Sequence, residues 1–458
     1  MTENNSSLIA HFKEECLEFS KKHGTPVRFE ALLPDINSIY RGKWLPASGL
    51  DKLLEGSARL PLSTYTPTIY GEEVAENNIG EAIGDPDGVL SPVSGTLVPM
   101  PWTEVPTAQI QVEIYDSHGQ ISPYSPRNLL HKVLTRFAAQ GLRPVVATEL
   151  EFYLFEKREH SLSAPRPLDR SPRAQNYDME LLGRLEPILN AILEACTIQD
   201  IPTDSLIAEF GPGQFEINFP HSENVLRIAD QSLMFRRLVR AVAQRHGLEA
   251  SFMAKPYAYQ PGNGMHAHIS VLNKQGHNIF DNQQGNSPIS PTLKAAIKGC
   301  LEHMQDSQAI FAPHFNSYRR FTNTGFAPIS ASWGCNHRSA GIRLPATQGP
   351  AARLEHRIAG ADANPYLALA AILAAILEGI NKADSNLPAA IDSESFIKPS
   401  PLTQHWQEAI RCFKHSDFIE KTYSAEFRRV YTGIKQSEQK LIGTQITPQE
   451  LEHYLTRI

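Results

Sequence analysis

Three stretches place polar side chains two residues apart: Glu149 and Glu151 in VVATELEFYLF, His266 and His268 in GNGMHAHIS, and Glu355 and Arg357 in ARLEHRIAG. A fourth, IAEFGPGQFEINF, sets Glu209 and Glu216 on either side of a Gly-Pro-Gly turn. In an extended strand, residues i and i+2 share a face. Taken singly, each pair reads as the solvated face of a strand. Taken together they offer five carboxylates and the imidazole of His266 to one space. Like charges so close do not all stay ionised unless something compensates them, and divalent cations do this most directly. An oxygen-rich donor set with one imidazole suits Mg²⁺ or Mn²⁺ better than zinc or copper. Five negative charges call for two or more ions, an arrangement common in phosphoryl chemistry.

The second constellation is positive. Residues 299–381 contain Arg319, Arg320, Arg338, Arg343, Arg353 and Arg357 and no lysine. A solvated surface mixes the two residue types, whereas arginine alone points to forked recognition of carboxylate or phosphate. An acidic metal cup beside such a lining describes a site for a metal nucleotide and an acidic substrate. No GxxxxGK[ST] loop is present, so the nucleotide must be held by other means.

Strands and helices must position these groups. Strand patterns fall at 144–156, 206–219, 249–255, 265–272, 340–344 and 353–358. Helical spacing runs through RNLLHKVLTRFAAQG and ENVLRIADQSLMFRRLVRAVAQRHG, which end on Gly141 and Gly247. Residues 1–24 read as an amphipathic helix ending at Gly24, not as a leader peptide. NPYLALAAILAAILEGI reads as a buried helix with Asn364 as N-cap, Pro365 in its first turn and a stop at Glu378-Gly379. Thr447, Pro448 and Glu450 mark a further helix start, and residues 381–400 read as an exposed loop. Before residue 122, short β-like runs alternate with Pro- and Gly-rich connections. The expected division is therefore residues 1–122 and 123–458, in an α+β fold.

Composition limits the function classes. The chain has 458 residues, 41% hydrophobic and 20% charged, with a net charge of −6. That length exceeds one ordinary core, and the acidic balance argues against nucleic acid. No run reaches the ~18 consecutive apolar residues of a membrane span. Cys16, Cys196, Cys300, Cys335 and Cys412 show no CxxC spacing, which fits a reducing, cytoplasmic setting.

Together DPDGVLSPVSGTLVPMPW, ELEFYLFE, EFGPGQFEINF, FMAKPYAYQPGNGMHAHIS, NSYRR, NHRSAGIRLP and RLEHRIAGADANPYLALAAIL form an ordered set that resembles the class I glutamine synthetase superfamily. The resemblance implies an N-terminal β-grasp domain, then a catalytic domain whose curved antiparallel sheet forms a funnel surrounded by helices. It also implies sites built between neighbouring subunits of a dodecamer of two stacked hexamers. By the same resemblance, Glu151, Glu209 and Glu216 hold one metal and Glu149, His266 and Glu355 a second. His268 and Ser270 face ATP, with Arg343 and Arg353. Arg338, Arg343 and Arg353 bind phosphate, and Arg338 and Arg343 serve catalysis. Gly262, Arg320 and Arg357 clamp glutamate, with Arg338 also on the substrate. The implied reaction phosphorylates the γ-carboxylate of L-glutamate with ATP, and an amine then displaces phosphate.

Three departures bear on the amine. Phe326 stands where the family's flap carries a glutamate for ammonium, LSTYTPTIYG lacks the aspartate of the β-grasp segment, and Pro261 replaces the asparagine before the clamp glycine. An aromatic flap at Phe326 suits the hydrocarbon part of a larger amine. The pattern is most like ligases joining glutamate to putrescine, a polyamine or another organic amine. The alternatives are an ammonia-using glutamine synthetase and, less favoured because every implied metal ligand is present, a non-catalytic structural relative.

Overall fold

The computed structural model describes residues 3–168, 176–282, 288–321, 327–391 and 401–458. The first helix, Glu3–His23, ends where Gly24 turns to φ +79°. A six-stranded sheet follows: β1 (Arg28–Pro34), β2 (Tyr40–Pro46), β3 (Arg59–Pro61), β4 (Asp87–Pro92), β5 (Val98–Pro99) and β6 (Thr107–Tyr115), in the order β2-β1-β6-β4-β3 with β5 on β6. It occupies the segment for which the resemblance implies a β-grasp domain. β1 and β6 pair in parallel, and the other pairs are antiparallel. β6 is buried on both faces, and Gln109, Gln111 and Glu113 line up on one of them. There they meet Arg237, Tyr366 and Tyr65 respectively, so the seam between this sheet and the helices behind it is hydrogen-bonded as well as apolar.

The second sheet has eight strands: β7 (Arg143–Glu156), β8 (Ser205–Ala208), β9 (Gln214–Asn218), β10 (Leu248–Ser251), β11 (Met265–Leu272), β12 (Trp333–Cys335), β13 (Ile342–Ala346) and β14 (Arg353–His356). Their order is β12-β13-β14-β11-β7-β9-β8, with β10 pairing the far end of β7. All pairs are antiparallel except β12–β13. The pattern expected as one strand over 206–219 is two, because the Gly-Pro-Gly turn reverses the chain and β8 pairs back onto β9.

Helices Pro126–Ala139, Val225–Arg245 and Pro291–His303 pack against this sheet, and Pro365–Lys382 packs against all three. The last is long and apolar enough to cross a membrane but lies in the core. Asn364 caps it as expected, accepting from Tyr366 and Leu367 N–H. The expected stop at Gly379 is wrong, since the helix continues to Lys382. Gly379 instead serves a close helix crossing: a Cβ there would lie 2.2 Å from the Ala295 carbonyl oxygen, and one on Gly299 would lie 2.1 Å from that of Ala375. At the C-terminus Thr447 and Glu450 form the expected capping box.

Candidate active site

β7 is the axis of the site. Its Glu149 stands opposite His266 on β11, and its Glu151 opposite Glu216 on β9. His268 stands opposite Glu355 on β14, which in turn faces Arg343 on β13. Directly opposed residues project to the same face, as do residues two apart on one strand. Seven functional side chains therefore form one row across five strands. The alternate positions Leu150, Phe152, Met265, Ala267 and Leu354 are buried in the core, which fixes the polar set outward.

Within the row the imidazole nitrogens of His266 (Nδ1) and His268 (Nε2) lie 3.0 and 2.7 Å from the two oxygens of Glu149. Burial opposes the charge of Glu149, yet these two imidazoles hold its carboxyl well below the usual range. Glu355 is fully buried. Arg343 donates to its Oε2 at 2.7 Å and Arg357 to its Oε1, and the Arg357 charge outweighs burial to keep it ionised. Glu216 and Glu209 have weaker help, from Asn218 and Arg338 respectively. Burial first, then the neighbouring carboxylates, pushes Glu216 well above the usual range; burial and Glu151 push Glu209 up to about 7.

Unrelieved repulsion of this kind is what a cation removes. Donor atoms of Glu149, Glu216 and His266 lie within 4.8 Å of one another, and so do those of Glu149, His268 and Glu355. Carboxylate oxygens with an imidazole fit hard divalent ions. All six expected metal-binding side chains are thus gathered in one neighbourhood. The tight groupings nevertheless share Glu149 and bring His268 beside Glu355, whereas Glu151 and Glu209 stand around Glu216.

The arginines divide. Arg353 Nε donates to His268 Nδ1 at 3.3 Å, which leaves the Nε2 proton of His268 for Glu149. Arg343 also holds Asn336 Oδ1 at 2.6 Å, and Arg357 Nε holds the Arg338 carbonyl at 3.1 Å. The Arg338 side chain is exposed, close enough to favour the charged form of Glu209. Arg320 is buried, with one N–H on the Ile358 carbonyl and an unpartnered Nε. Arg319 is exposed over the Phe315 ring and does not join the cluster. Ser270 is half-buried on the same face as His268, one pair further along β11. Phe326 lies outside the described residues.

The glycine loop before β11 is built around these groups. A Cβ on Gly262 would lie 2.6 Å from Arg320 Cγ, and one on Gly264 would lie 2.9 Å from His266 Nε2. Gly264 N–H donates to Glu151 at 2.6 Å. Sequence reasoning missed Gln214, whose amide accepts from Gly211 N–H and donates to the Gly262 carbonyl and Asn263 Oδ1, all at 3.0 Å. It also missed Tyr153, which donates to the Pro261 carbonyl at 2.9 Å, and Gly264. The only signal for them was their place inside the motifs. His356, on the opposite face, is pushed down to about 3 by burial and stays structural and neutral.

The pattern described as glutamine synthetase, catalytic domain, matches residues 123–454. The chain is 36% identical over 457 residues to gamma-glutamylputrescine synthetase PuuA of Escherichia coli (strain K12), covering 97% of this chain and 95% of that one. It is 29% identical over 470 residues to a glutamate–isopropylamine ligase of a Pseudomonas species, covering 99% of each. A solved structure titled as a GmaS/ADP complex superposes with a TM-score of 0.83 at 26% identity, covering 96% of this chain and 99% of that one. With these matches and the carboxylate, imidazole and arginine row, the chain belongs to the glutamine synthetase family through its catalytic domain and is a ligase that forms carbon–nitrogen bonds.

Proposed function

We propose that the protein joins the γ-carboxylate of L-glutamate to an organic amine, with ATP as the second substrate and γ-glutamyl phosphate between the two steps. The products are a γ-glutamyl amide, ADP and phosphate. The observation that carries this reading is the row itself: a carboxylate cluster with two of its members held high, flanked on the same face by Arg343, Arg353 and Arg357. Ligases of this family use ATP and divalent metal ions. Here Glu149, Glu151, Glu209, Glu216, His266 and Glu355 would hold Mg²⁺ or Mn²⁺, which when bound neutralises phosphoryl charge.

The chain's own groups do the rest. Arg320, packed against Gly262, and Arg357 would take the carboxylates of glutamate in forked hydrogen bonds. Arg338 and Arg343 would meet phosphoryl oxygens as negative charge develops there, at no cost in reorganisation because Asn336 and Glu355 already fix Arg343. His268, oriented by Arg353, and Ser270 would line the nucleotide side. Phe326 in place of a flap acid favours an amine with methylenes to bury, each worth about 0.8 kcal/mol. Near full-length similarity to two amine ligases supports that choice over ammonia. The assembly implied by the family is a dodecamer of two stacked hexamers.

An amine panel tests the reading, with phosphate release as readout and glutamate and ATP-Mg²⁺ saturating. One or more of putrescine, longer polyamines and monoamines should exceed ammonium in kcat/KM by about tenfold to a few hundredfold. Faster turnover with ammonium than with every amine would make the protein a glutamine synthetase. Absence of any metal-dependent ATP turnover would make it a structural relative.

A further inference from the structure

Between the six-stranded sheet and helix Val225–Arg245 lies a cavity of about 470 Å³. Tyr40, Ser251, Met253 and Asp362 line it together with Arg236, Arg237 and Arg240, and none of the row residues reaches it. The three arginines are spaced one and three or four apart along the helix, so they belong to one stretch of its surface. Arg237 is satisfied: it pairs with Glu30 and donates to Gln109 Oε1 at 3.0 Å.

Among the described residues neither of the other two makes an ion pair, although Arg236 and Asp362 attract each other at longer range. Arg236 is 4% exposed, and its NH1 donates to the carbonyls of Ala361 (2.7 Å) and Ala363 (3.0 Å) while its Nε has no partner. Among the described residues no carboxylate comes within ion-pair distance of Arg236 or Arg240. Asp362 is the single acid in the lining; its Oδ2 accepts from Ser317 at 2.6 Å, and burial pushes its carboxyl up. His314, also in the wall, is held neutral by burial. A buried arginine without a paired anion is costly, because two carbonyls and a distant carboxyl offset only part of what its charge loses on leaving water.

We propose that this cavity is a binding site for a small oxyanion, a carboxylate or phosphate group held by Arg236 and Arg240. Such a ligand would sit against the back of the active site. The Ser251 and Met253 carbonyls accept from the Asn263 amide, which lies between Gly262 and Gly264. Arg236 itself fixes Ala361 and Ala363, a few residues beyond Arg357. The proposed binding is independent of which amine the enzyme uses.

Calorimetry on the metal-free full-length protein tests it, with inorganic phosphate and succinate as separate titrants to tell the two anion chemistries apart. Arg240→Gln removes an exposed side chain that makes no bond, so folding is not at stake; Arg343→Gln reports anions that bind the catalytic face. Saturable binding of one titrant should weaken about tenfold or more in Arg240→Gln, the effect of losing one charge-assisted hydrogen bond, and persist in Arg343→Gln. Equal binding in Arg240→Gln, loss in Arg343→Gln alone, or no saturable binding of either anion in the millimolar range would overturn the assignment.

Discussion

Glu209 carries a proton near neutral pH because burial and the Glu151 charge push it up to about 7, and burial with the same kind of neighbours pushes Glu216 well above the usual range. Metal binding needs both ionised, so protons compete with the cation. Affinity for Mg²⁺ should rise with pH through about 7, by up to about tenfold per unit for each proton displaced, with protons released on binding. Calorimetry in buffers of different ionisation enthalpy reads both, and a flat affinity from about pH 6 to about pH 8 would remove these carboxylates from the metal shell. The sign for stability runs the other way. The unfolded chain loses its protons near the ordinary value of 4.5 while folded Glu209 keeps its proton to about 7, so the metal-free fold weakens as pH rises between them. Arg357 poses a different question, since it bonds Glu355 and the Arg338 carbonyl and is also assigned to glutamate. Arg357→Lys keeps the charge and loses the fork. It should raise KM for glutamate about tenfold, a loss of about 1.4 kcal/mol, with a smaller change in kcat. An unchanged KM in a variant of normal thermal stability would show that the clamp lies elsewhere.

The Gly-Pro-Gly turn and the glycine loop reach the row from opposite sides, and Gln214 ties them together. Gln214→Leu would leave Gly211 N–H, the Gly262 carbonyl and Asn263 Oδ1 each short of a partner, at about 1–3 kcal/mol for each buried group. Both the thermal midpoint and metal-dependent turnover should fall; Gln214→Glu, which keeps the acceptor and loses the donors, should fall less. Unchanged values in the leucine variant would mean the two loops hold themselves. This tie was invisible in the sequence because an uncharged amide inside a motif gives no sign of what it bridges. Alternation, by contrast, was legible: Leu150, Phe152 and Leu154 face the core as their spacing requires, and Glu149 and Glu151 face away from it. What alternation leaves open is register, and nothing in the sequence says that Glu216 must stand opposite Glu151 and not one residue along. Gly379 misled for a related reason. A glycine suits a helix end and a close crossing equally, and only the approach of Gly299 from a distant helix separates the two uses.

One buried knot fastens the C-terminal helix Ala425–Gly443 to the β1–β2 turn and to a loop between β3 and β4. Lys435 and Glu438 are both fully buried and 2.9 Å apart, and Glu438 Oε1 also accepts from Asn37 Nδ2 (2.9 Å) and Ile69 N–H (2.7 Å). Removing one partner leaves a charge stranded. Lys435→Met should therefore cost about 3–5 kcal/mol in urea unfolding, and Lys435→Met with Glu438→Leu noticeably less. A single variant as stable as the parent would show the pair to be dispensable. The row across the second sheet has its own consequence, and it concerns time. Its side chains arrive from β9, β7, β11, β14 and β13, strands that neighbour one another in space but are gathered from residues 149 to 355 of the chain. No local hairpin carries the whole set, so the chain must close several long loops before the last carboxylate meets its partner. During refolding, helical and strand signals should return first, and catalytic competence should lag behind them without passing through a half-active form.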